Sequence, residues 1–357
     1  MNHLNKIAEK LPEYGLDAMV ITSEPGEFYA VGFHGEGLVL VTREGSYYST
    51  DSRYIEAVNH QVSGCEVAMI ENGVTHIKLA AEKCGTLGLK KIGIEETYLS
   101  VADFEKMKKE FPGQVEFVSA NQLVSDLRAC KDESELAVMK KAQEITDKAF
   151  TEILKFVKPG VTESEVAAQL TFLMQSMGAS RNSFDPIVAS GPNGSMPHAI
   201  PGSRKVQEGE FLTMDFGCIY GGYCSDMTRT VAVGEPTEEM RKVYETVLEA
   251  QLTGISKAKA GVPGADVHNA AVEVIDKAGY AGKMGHGFGH SLGIEIHEDP
   301  GFRPANKDPM PVGAVVSAEP GIYLPGKFGV RIEDVVVLTE EGCTVLTQSP
   351  KELIVLK

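Results

Sequence analysis

The chain has 357 residues, of which 43% are apolar and 24% charged, ordinary values for a globular protein with a large core. Its length predicts two domains. Acidic residues outnumber basic ones by 50 to 34, and the net charge of −16 argues against nucleic acids and anionic membranes as partners. The six cysteines are scattered, no apolar run approaches the ~20 residues of a membrane span, and the charged start is unlike a signal peptide. These features predict a cytoplasmic protein with reduced thiols.

Residues 1–127 form the first predicted domain, in which short apolar runs alternate with helical stretches. The segment Asp51–Gln61 begins with an N-cap-type aspartate and has a helical pattern, whereas Pro25-Gly26 predicts a turn. Strands that alternate with helices predict a small α/β domain with a mixed sheet. The predicted strands are Leu16–Thr22, Gly37–Thr42, Lys91–Glu95 and Val115–Val118.

Residues 128–357 form the second predicted domain, which contains an internal repeat. A first helix is predicted over 129–156, and the segments Lys158–Gly178 and Lys259–Gly279 then align without a gap. Both segments are predicted helices that start at a capping signal and end at a glycine. Because a long helix precedes each copy and strands follow it, the repeat predicts an α+β domain of two pseudo-symmetric helix–helix–strand–strand halves. The alternative is a chance similarity between two amphipathic helices.

The segment Glu210–Gly234 is predicted to form a hairpin around Tyr220-Gly221-Gly222. A four-residue loop places Asp215 directly opposite Asp226, a two-residue Gly-Gly loop places them diagonally on one face, and a three-residue loop separates them. Two adjacent carboxylates repel each other, so they indicate either a solvent-exposed polar face or a cation between them. We favour the cation, because the apolar reverse face of the first strand predicts a packed hairpin.

The segment Gly285–Glu298 carries three histidines, two of them among alternating glycines. Three glycines in five residues disfavour a helix, so His286 and His290 are predicted to lie on the same side of an extended backbone. Glycine on the other side allows the backbone to approach a neighbouring group closely. His297 follows on a strand-like run, Ile294–Glu298. One histidine is usually structural, but three of the chain's nine within twelve residues indicate a functional site.

Two further carboxylates lie in apolar runs. Glu319 ends one predicted strand, and Glu333 lies in a second, Gly329–Leu338. A carboxylate in such a run is costly unless it is paired or coordinated, and a salt bridge to Arg331 on the same face is the simple alternative for Glu333. His198 lies on a proline-rich loop, where a single histidine usually has no function.

Together these segments supply four carboxylates and at least one imidazole. Four carboxylates balance the charge of two divalent cations, and an oxygen-rich set with one imidazole favours Mn²⁺, Co²⁺ or Zn²⁺. Two such cations would share a water, lower its pKa and polarise a carbonyl oxygen, while the remaining histidines handle protons and charge on the substrate. The five candidate donors are Asp215, Asp226, His290, Glu319 and Glu333.

The motifs around these donors resemble those of the pita-bread metallopeptidases, which include methionine aminopeptidase, aminopeptidase P and prolidase. The resemblance rests on MDFGCIYGGYCSDMTRT, GHGFGHSLGIEIHE, SAEPGIY and GVRIED, and it extends to FYAVGFHG, GLVLVT and YYSTDSRY near the N-terminus. It covers essentially the whole chain. It implies a catalytic pita-bread domain with duplicated halves, preceded by a smaller creatinase-like α/β domain.

The resemblance also implies roles for individual residues. The five donors match the family's metal ligands, and Glu319 would also act as general base for the water between the metals. Creatinase has the same fold without the metal ligands, so their presence disfavours that branch. The residues that match the family's substrate-contacting groups and their neighbours are His198, His286, His297, Tyr323 and Arg331.

The implied activity is hydrolysis of the bond before proline in short peptides, by an Xaa-Pro aminopeptidase or an Xaa-Pro dipeptidase with two divalent ions, Mn²⁺ first among them. The N-terminal domain favours this branch over methionine aminopeptidases, which usually lack it. In this family that domain commonly packs against a neighbouring subunit, so we expect a homodimer. Two alternatives stay open: a non-proline aminopeptidase and a catalytically silent binding protein. The intact ligand set disfavours the silent protein, because buried carboxylates without ligands are costly.

Overall fold

The protein is described by a computed structural model that covers residues 2–71 and 73–357. The chain folds into two compact units, Met1–Arg128 and Ala129–Lys357. The first unit is built on one six-stranded sheet, and the second on two larger sheets of four and five strands with short ladders beside them. No helix within the described ranges is both long enough and apolar enough to cross a membrane.

The first unit combines a mixed sheet with helices, as predicted. Its strands are β1 (Ala18–Ile21), β2 (Leu38–Thr42), β3 (Ser46–Thr50), β4 (Glu66–Met69), β5 (Lys91–Ile94) and β6 (Glu116–Ser119). Its helices are α1 (Leu4–Lys10), α2 (Glu24–Val31), α3 (Ile55–Gln61), α4 (His76–Leu87), α5 (Val101–Glu110) and α6 (Asn121–Ala129). The strand order is β4-β3-β2-β1-β5-β6, with β1 antiparallel to β2 and parallel to β5. Sequence analysis missed β3 and β4.

The turn predicted at Pro25-Gly26 is wrong, because both residues lie in the first turn of α2. Ser23 is the N-cap and accepts a hydrogen bond from Gly26 N at 2.9 Å. Proline is tolerated at this position because the first helical N–H groups have no partner within the helix. A Cβ on Gly26 would lie 2.6 Å from Glu95 Oε1, so the glycine is needed for a close approach.

The helix predicted from Asp51 starts later, at Ile55. Asp51 accepts a hydrogen bond from Arg53 N at 2.8 Å, and Tyr54 N donates to Asp51 O at 3.2 Å. Aspartate therefore stabilises a turn before the helix here, which is a common alternative to capping the helix itself.

The second unit has two successive sets of helices and strands. The helices are α7 (Glu133–Ile153), α8 (Glu163–Ser176), α9 (Glu238–Lys257) and α10 (Gly264–Ile275). The strands of the first set are β7 (Arg181–Asn182), β8 (Ile187–Ser190), β9 (Glu210–Phe216), β10 (Cys218–Tyr220), β11 (Tyr223–Cys224) and β12 (Met227–Val233). Those that follow are β13 (Gly289–Ser291), β14 (Glu298–Phe302), β15 (Val315–Ala318), β16 (Gly321–Leu324), β17 (Phe328–Arg331), β18 (Asp334–Leu338), β19 (Cys343–Val345) and β20 (Val355–Leu356). The two larger sheets have the orders β20-β12-β9-β8 and β14-β13-β15-β18-β19.

The two halves of this unit repeat the same backbone contacts, which confirms the predicted duplication. Gly160 N donates to Val206 O at 2.9 Å, and the matching Gly261 N donates to Met310 O at 2.8 Å. A chance similarity between two amphipathic helices would not reproduce such contacts. The glycines that open and close both segments have positive φ: Gly160 96°, Gly178 104°, Gly261 82° and Gly279 92°.

The strands of each half bury one face against the helices of that half. Leu212 and Met214 of β9 belong to one core cluster with residues of α7 and α8, and Val316 of β15 belongs to another with residues of α9 and α10. Burial of such a side chain stabilises a fold by ~1.5–3 kcal/mol. The opposite, polar faces of the strands from the two halves lie against each other. Glu333 N of the second half donates a hydrogen bond to Thr228 O of the first half at 3.1 Å.

Candidate metal centre

Asp215 and Asp226 lie on one hairpin, whose loop decides their relative position. Strands β10 and β11 are joined by a two-residue loop, Gly221-Gly222, with φ values of 55° and 84°. Two successive positive φ values are typical of a tight hairpin turn and favour glycine. The same register continues into β9 and β12, where Asp215 is opposite Thr228. Asp215 and Asp226 are therefore diagonal neighbours on one face, as the two-residue alternative predicts.

Glu319 and Glu333 lie on the corresponding hairpin of the second half. Strand β15 pairs with β18, and β16 with β17, in one continuous register that places Glu319 opposite Glu333. The predicted continuous strand Gly329–Leu338 is wrong, because β17 ends at Arg331 and β18 begins at Asp334. Glu333 lies in this interruption, where its side chain lines the cavity described below.

His290 reaches these carboxylates because glycine allows two strands to approach closely. A Cβ on Gly289 would be 1.8 Å from Ser317 O of β15, so the predicted close approach is confirmed. The strand predicted over Ile294–Glu298 is wrong, since this stretch bends and β14 begins only at its last residue. His297 nevertheless returns to the site, with its ring edge-on to that of His290 at 4.4 Å between centroids.

Three of the predicted ligands converge closely enough to hold one cation. One ligand atom from each of Asp226, His290 and Glu333 lies within 4.8 Å of the other two. His290 Nε2 is 3.6 Å from Asp226 Oδ2 and 3.4 Å from Glu319 Oε1. Asp215 lines the same cavity beside them. Four carboxylates and one imidazole around one space form a donor set that suits Mn²⁺, Co²⁺ or Zn²⁺.

Two buried carboxylate oxygens, Asp215 Oδ1 and Glu333 Oε1, have no hydrogen-bond partner among the described residues. The second oxygen of each is bound: Arg331 Nη2 donates to Asp215 Oδ2 at 2.5 Å, and Thr228 Oγ1 donates to Glu333 Oε2 at 2.7 Å. Arg331 pairs with Asp215, so the alternative of a salt bridge between Arg331 and Glu333 does not hold among the described residues. A buried acceptor left unpaired costs about 1–3 kcal/mol, so the two free oxygens fit coordination to a cation.

Burial and mutual repulsion shift the pKa values of this cluster. Burial raises the pKa of Asp226 and of Glu333 well above the usual range, and the neighbouring carboxylates raise both further. Burial likewise raises the pKa of Glu319 and lowers that of His290. Without a cation these groups are driven toward their neutral forms, so a divalent cation would displace protons on binding.

A chain of hydrogen bonds runs along the edge of the cluster. Arg331 Nη1 donates to the Tyr323 hydroxyl at 2.9 Å, so this hydroxyl directs its own proton to His286 Nε2, also 2.9 Å away. His286 Nδ1 then carries the ring proton and donates it to Gly287 O at 2.8 Å. Burial lowers the pKa of His286, in agreement with a neutral ring. Arg331 thus orients both Asp215 and Tyr323.

All ten predicted site residues line one cavity of about 580 Å³. His198 is exposed and contributes from the loop that follows the short 3₁₀ turn Gly191–Ser195. Sequence analysis missed the apolar wall of this cavity and two charged residues on it, because none of them carries a motif of its own. These lining residues are Phe184, Asp185, Pro186, Ile187, Ile296 and Arg303.

Two buried hydroxyl residues beside the carboxylates were also missed. Thr228 lies two residues after Asp226, and Ser317 lies two residues before Glu319. Alternate residues of a strand share a face, so this spacing was an available signal. The hydrogen bonds that make these hydroxyls relevant connect distant parts of the chain, and the strand pattern does not show them.

Two protein families match the chain. The profile of "Metallopeptidase family M24" matches residues 137–340, and that of "Creatinase/Prolidase N-terminal domain" matches residues 3–130. Among individual relatives, "Uncharacterized peptidase YqhT" of Bacillus subtilis is 40% identical over 357 residues, with 99% of each chain covered.

Solved structures share the fold over nearly the full length. An Xaa-Pro dipeptidase from Bacillus anthracis superposes with a TM-score of 0.94 at 40% identity, covering 99% of both chains. An X-Pro aminopeptidase from Thermotoga maritima has a TM-score of 0.91 at 37% identity, covering 96% of this chain and 98% of its own. The two are named for different reactions, so the shared fold leaves the choice between those reactions open.

Proposed function

The chain belongs to metallopeptidase family M24, a dinuclear metal-dependent family, and from this membership we propose that it hydrolyses the bond before proline in short peptides. The observation that carries the proposal is a pair of buried oxygens, Asp215 Oδ1 and Glu333 Oε1, that have no partner in the part of the chain that the structure describes and that lie within a cluster of four carboxylates. Coordination to cations would offset the cost of keeping these oxygens buried. The preference for proline is proposed from similar proteins, which include an Xaa-Pro dipeptidase and an X-Pro aminopeptidase.

The five-donor set would hold two cations in this proposal, with Mn²⁺ as the first candidate and Co²⁺ or Zn²⁺ as alternatives. When bound, the cations would lower the pKa of a water molecule and polarise the carbonyl group of the scissile bond. Arg331 balances part of the negative charge by its bond to Asp215 Oδ2 at 2.5 Å. The proposed ligands are Asp215, Asp226, His290, Glu319 and Glu333.

Glu319 is the proposed general base. Its Oε1 is 3.4 Å from His290 Nε2 and accepts a hydrogen bond from Ser317 Oγ at 3.1 Å, which fixes the carboxylate at the cavity wall. Its carboxylate lines the cavity, where an ionised glutamate can accept a proton from a water molecule. Glu319 would take the proton of the attacking water and later deliver it to the departing nitrogen.

Three histidines would act on the substrate rather than hold metal. His198 is exposed on its loop and can donate to charge that develops on the scissile carbonyl oxygen. His297 packs edge-on against His290, and burial lowers its pKa. His286 is held by the Tyr323 hydroxyl at 2.9 Å, which fixes its ring beside the reacting groups.

The cavity suits a short peptide with a compact apolar ring. Its volume of about 580 Å³ lies in the range of small-ligand sites. Phe184, Pro186 and Ile296 provide apolar surface for proline, and the exposed side chains of Asp185 and Arg303 supply charges that can pair with the termini of a substrate.

We also propose that the protein is a homodimer, as the family resemblance implies, and that it works in the cytoplasm, as its composition and scattered cysteines predict. Sedimentation velocity over a range of protein concentrations measures the oligomeric state directly. A protein that stays monomeric at all concentrations would remove the dimer from this proposal.

A matched peptide series tests the proposed reaction. The purified protein, stripped of metal and reloaded with Mn²⁺, Co²⁺ or Zn²⁺, is assayed on Xaa-Pro, Xaa-Pro-Yaa and Xaa-Ala-Yaa. Cleavage of the dipeptide alone identifies a dipeptidase, and cleavage of Xaa-Pro-Yaa identifies an aminopeptidase P. Equal cleavage of Xaa-Ala-Yaa would overturn the preference for proline. Metal binding without any cleavage would favour a binding protein.

A further inference from the structure

The hydroxyl of Thr228 connects the guanidinium of Arg331 to the carboxylate of Glu333. Thr228 is fully buried, and its Oγ1 lies 3.1 Å from Arg331 Nε and 2.7 Å from Glu333 Oε2. An arginine nitrogen can only donate, so Thr228 Oγ1 accepts from Arg331. When Glu333 is an ionised ligand, it can only accept, so the threonine proton points to Oε2. The direction of both hydrogen bonds is therefore determined.

Ser317 makes the same arrangement for the second glutamate. It is fully buried, and its Oγ accepts from the backbone N–H of His290 at 3.0 Å and donates to Glu319 Oε1 at 3.1 Å. A backbone N–H cannot accept a hydrogen bond, so the serine proton is free to point only toward the carboxylate. Each glutamate of the site thus has one oxygen held by a hydroxyl whose orientation another donor sets.

We propose that Thr228 and Ser317 are positioning residues, each of which holds one oxygen of Glu333 or of Glu319 and so fixes the orientation of that carboxylate toward the cations. This inference rests on the metal site of the proposed function. The hydrogen bonds of Glu333 support it, because Oε2 is bound by Thr228 while no described residue bonds the buried Oε1. A residue that hydrogen-bonds a metal ligand, without touching the metal itself, keeps that ligand from rotating. The loss of such a residue typically weakens metal binding ~10–100-fold.

Thr213 provides a matched control on the same hairpin. It is 4% exposed and lies two residues before Asp215, in the position that Ser317 has relative to Glu319. Its hydroxyl, however, bonds Thr230 Oγ1 at 3.0 Å rather than a carboxylate. Replacing Thr213 by valine therefore removes a buried hydroxyl of the same kind without changing the surroundings of a proposed ligand.

The test is the affinity of the metal-free full-length protein for Mn²⁺, measured by calorimetric titration with stoichiometry. Thr228→Val keeps the side-chain shape and removes the hydroxyl, so we expect the Kd for Mn²⁺ to rise ~10–100-fold. Thr228→Ser retains the hydroxyl and is expected to bind Mn²⁺ close to wild type. Thr213→Val is expected to leave the Kd unchanged, even if its melting temperature falls as much as that of Thr228→Val.

Wild-type affinity in Thr228→Val, or an equal loss in Thr213→Val, would overturn the inference, because either outcome makes the hydroxyl merely structural. If circular dichroism shows that Thr228→Val does not fold, Ser317→Ala decides, since it only shortens a side chain; unchanged Mn²⁺ affinity there would overturn the inference. A wild-type protein that binds no divalent cation would instead overturn the proposed function itself, so the two failures are distinguishable.

Discussion

The first and second units both bury carboxylates, but the surroundings of those carboxylates differ. In the first unit, Glu95 accepts hydrogen bonds from Thr22 N at 2.9 Å, Ser23 N at 3.0 Å and Ser23 Oγ at 2.7 Å. Glu27 accepts from the Tyr48 hydroxyl at 2.6 Å and from two backbone N–H groups. Several donors replace the lost water around each group, so these glutamates hold loops and strand ends together.

In the second unit, the adjacent residues Glu333 and Asp334 differ in how many donors surround the buried carboxylate. Asp334 accepts from Arg229 Nη2 at 2.8 Å and Gln251 Nε2 at 3.0 Å, and it pairs with Lys351 Nζ at 2.5 Å. Glu333 has one hydroxyl donor and one buried oxygen that none of residues 2–71 and 73–357 bonds, and it faces other carboxylates. A buried carboxylate with a full set of donors therefore stabilises the fold, whereas one that lacks donors among like charges indicates a cation site.

Asp226→Asn should have the largest effect, because at nearly constant shape it removes a charge from a proposed ligand that is buried among other carboxylates. We expect the bound metal to fall below two ions per chain and turnover to drop by at least ~10²-fold, in the range of lost metal catalysis. Elemental analysis and peptide hydrolysis measure the two effects. The metal-free variant should be no less stable than wild type, since the change relieves repulsion from neighbouring carboxylates. Full metal content with normal activity would contradict the site.

His198→Ala should reduce the rate without affecting the metal. The side chain is exposed on its loop and outside the carboxylate cluster, so its loss leaves every ligand in place. We expect kcat to fall roughly 10²-fold, as for one lost donor to a developing oxyanion. Steady-state kinetics and metal analysis on the same preparation give the answer. Loss of metal without a specific defect in kcat would instead make His198 a ligand or a structural residue.

Glu95→Gln is the matched change in the first unit and should affect only stability. The NH₂ group of the new glutamine would face N–H and O–H groups that donate to the carboxylate in the wild type. The resulting unpaired donors should lower the free energy of unfolding by ~1–3 kcal/mol. We expect a lower unfolding midpoint in urea with unchanged Mn²⁺ affinity and unchanged turnover. A loss of metal binding in this variant would contradict the comparison, because it would show that a buried carboxylate with a full set of donors also affects the metal site.

Added metal should stabilise the protein by a smaller amount. At free Mn²⁺ tenfold above Kd, one site contributes about 1.4 kcal/mol by mass action. We expect a rise in the melting temperature of the wild type and of Glu95→Gln, and a smaller rise for Asp226→Asn. Differential scanning fluorimetry with and without Mn²⁺ measures these shifts. An identical rise in all three proteins would place the bound metal elsewhere.

Several features of the candidate site could be predicted from residue types and spacing. Alternation along the strands brought Asp215 and Asp226 to one face, and the alternating glycines indicated the close approach that the structure shows at Gly289. The length of the hairpin loop stayed open among alternatives, because loops of different length are compatible with the same residues. The alternative of a salt bridge between Arg331 and Glu333 supposed that one strand carries both residues. The strand ends at Arg331, and Arg331 pairs with Asp215 instead.

The sequence by itself determined the fold class, the duplicated helices and the types of side chain that could donate to a metal, because periodicity, capping residues and side-chain chemistry are local properties of a chain. Only the tertiary structure decided which oxygens are bound and which are free. Arg331 reaches Asp215 across 116 residues, and Thr228 reaches Glu333 across 105. Such contacts depend on how the polar faces of the two hairpins meet, and packing of the apolar faces against separate helix pairs determines that arrangement.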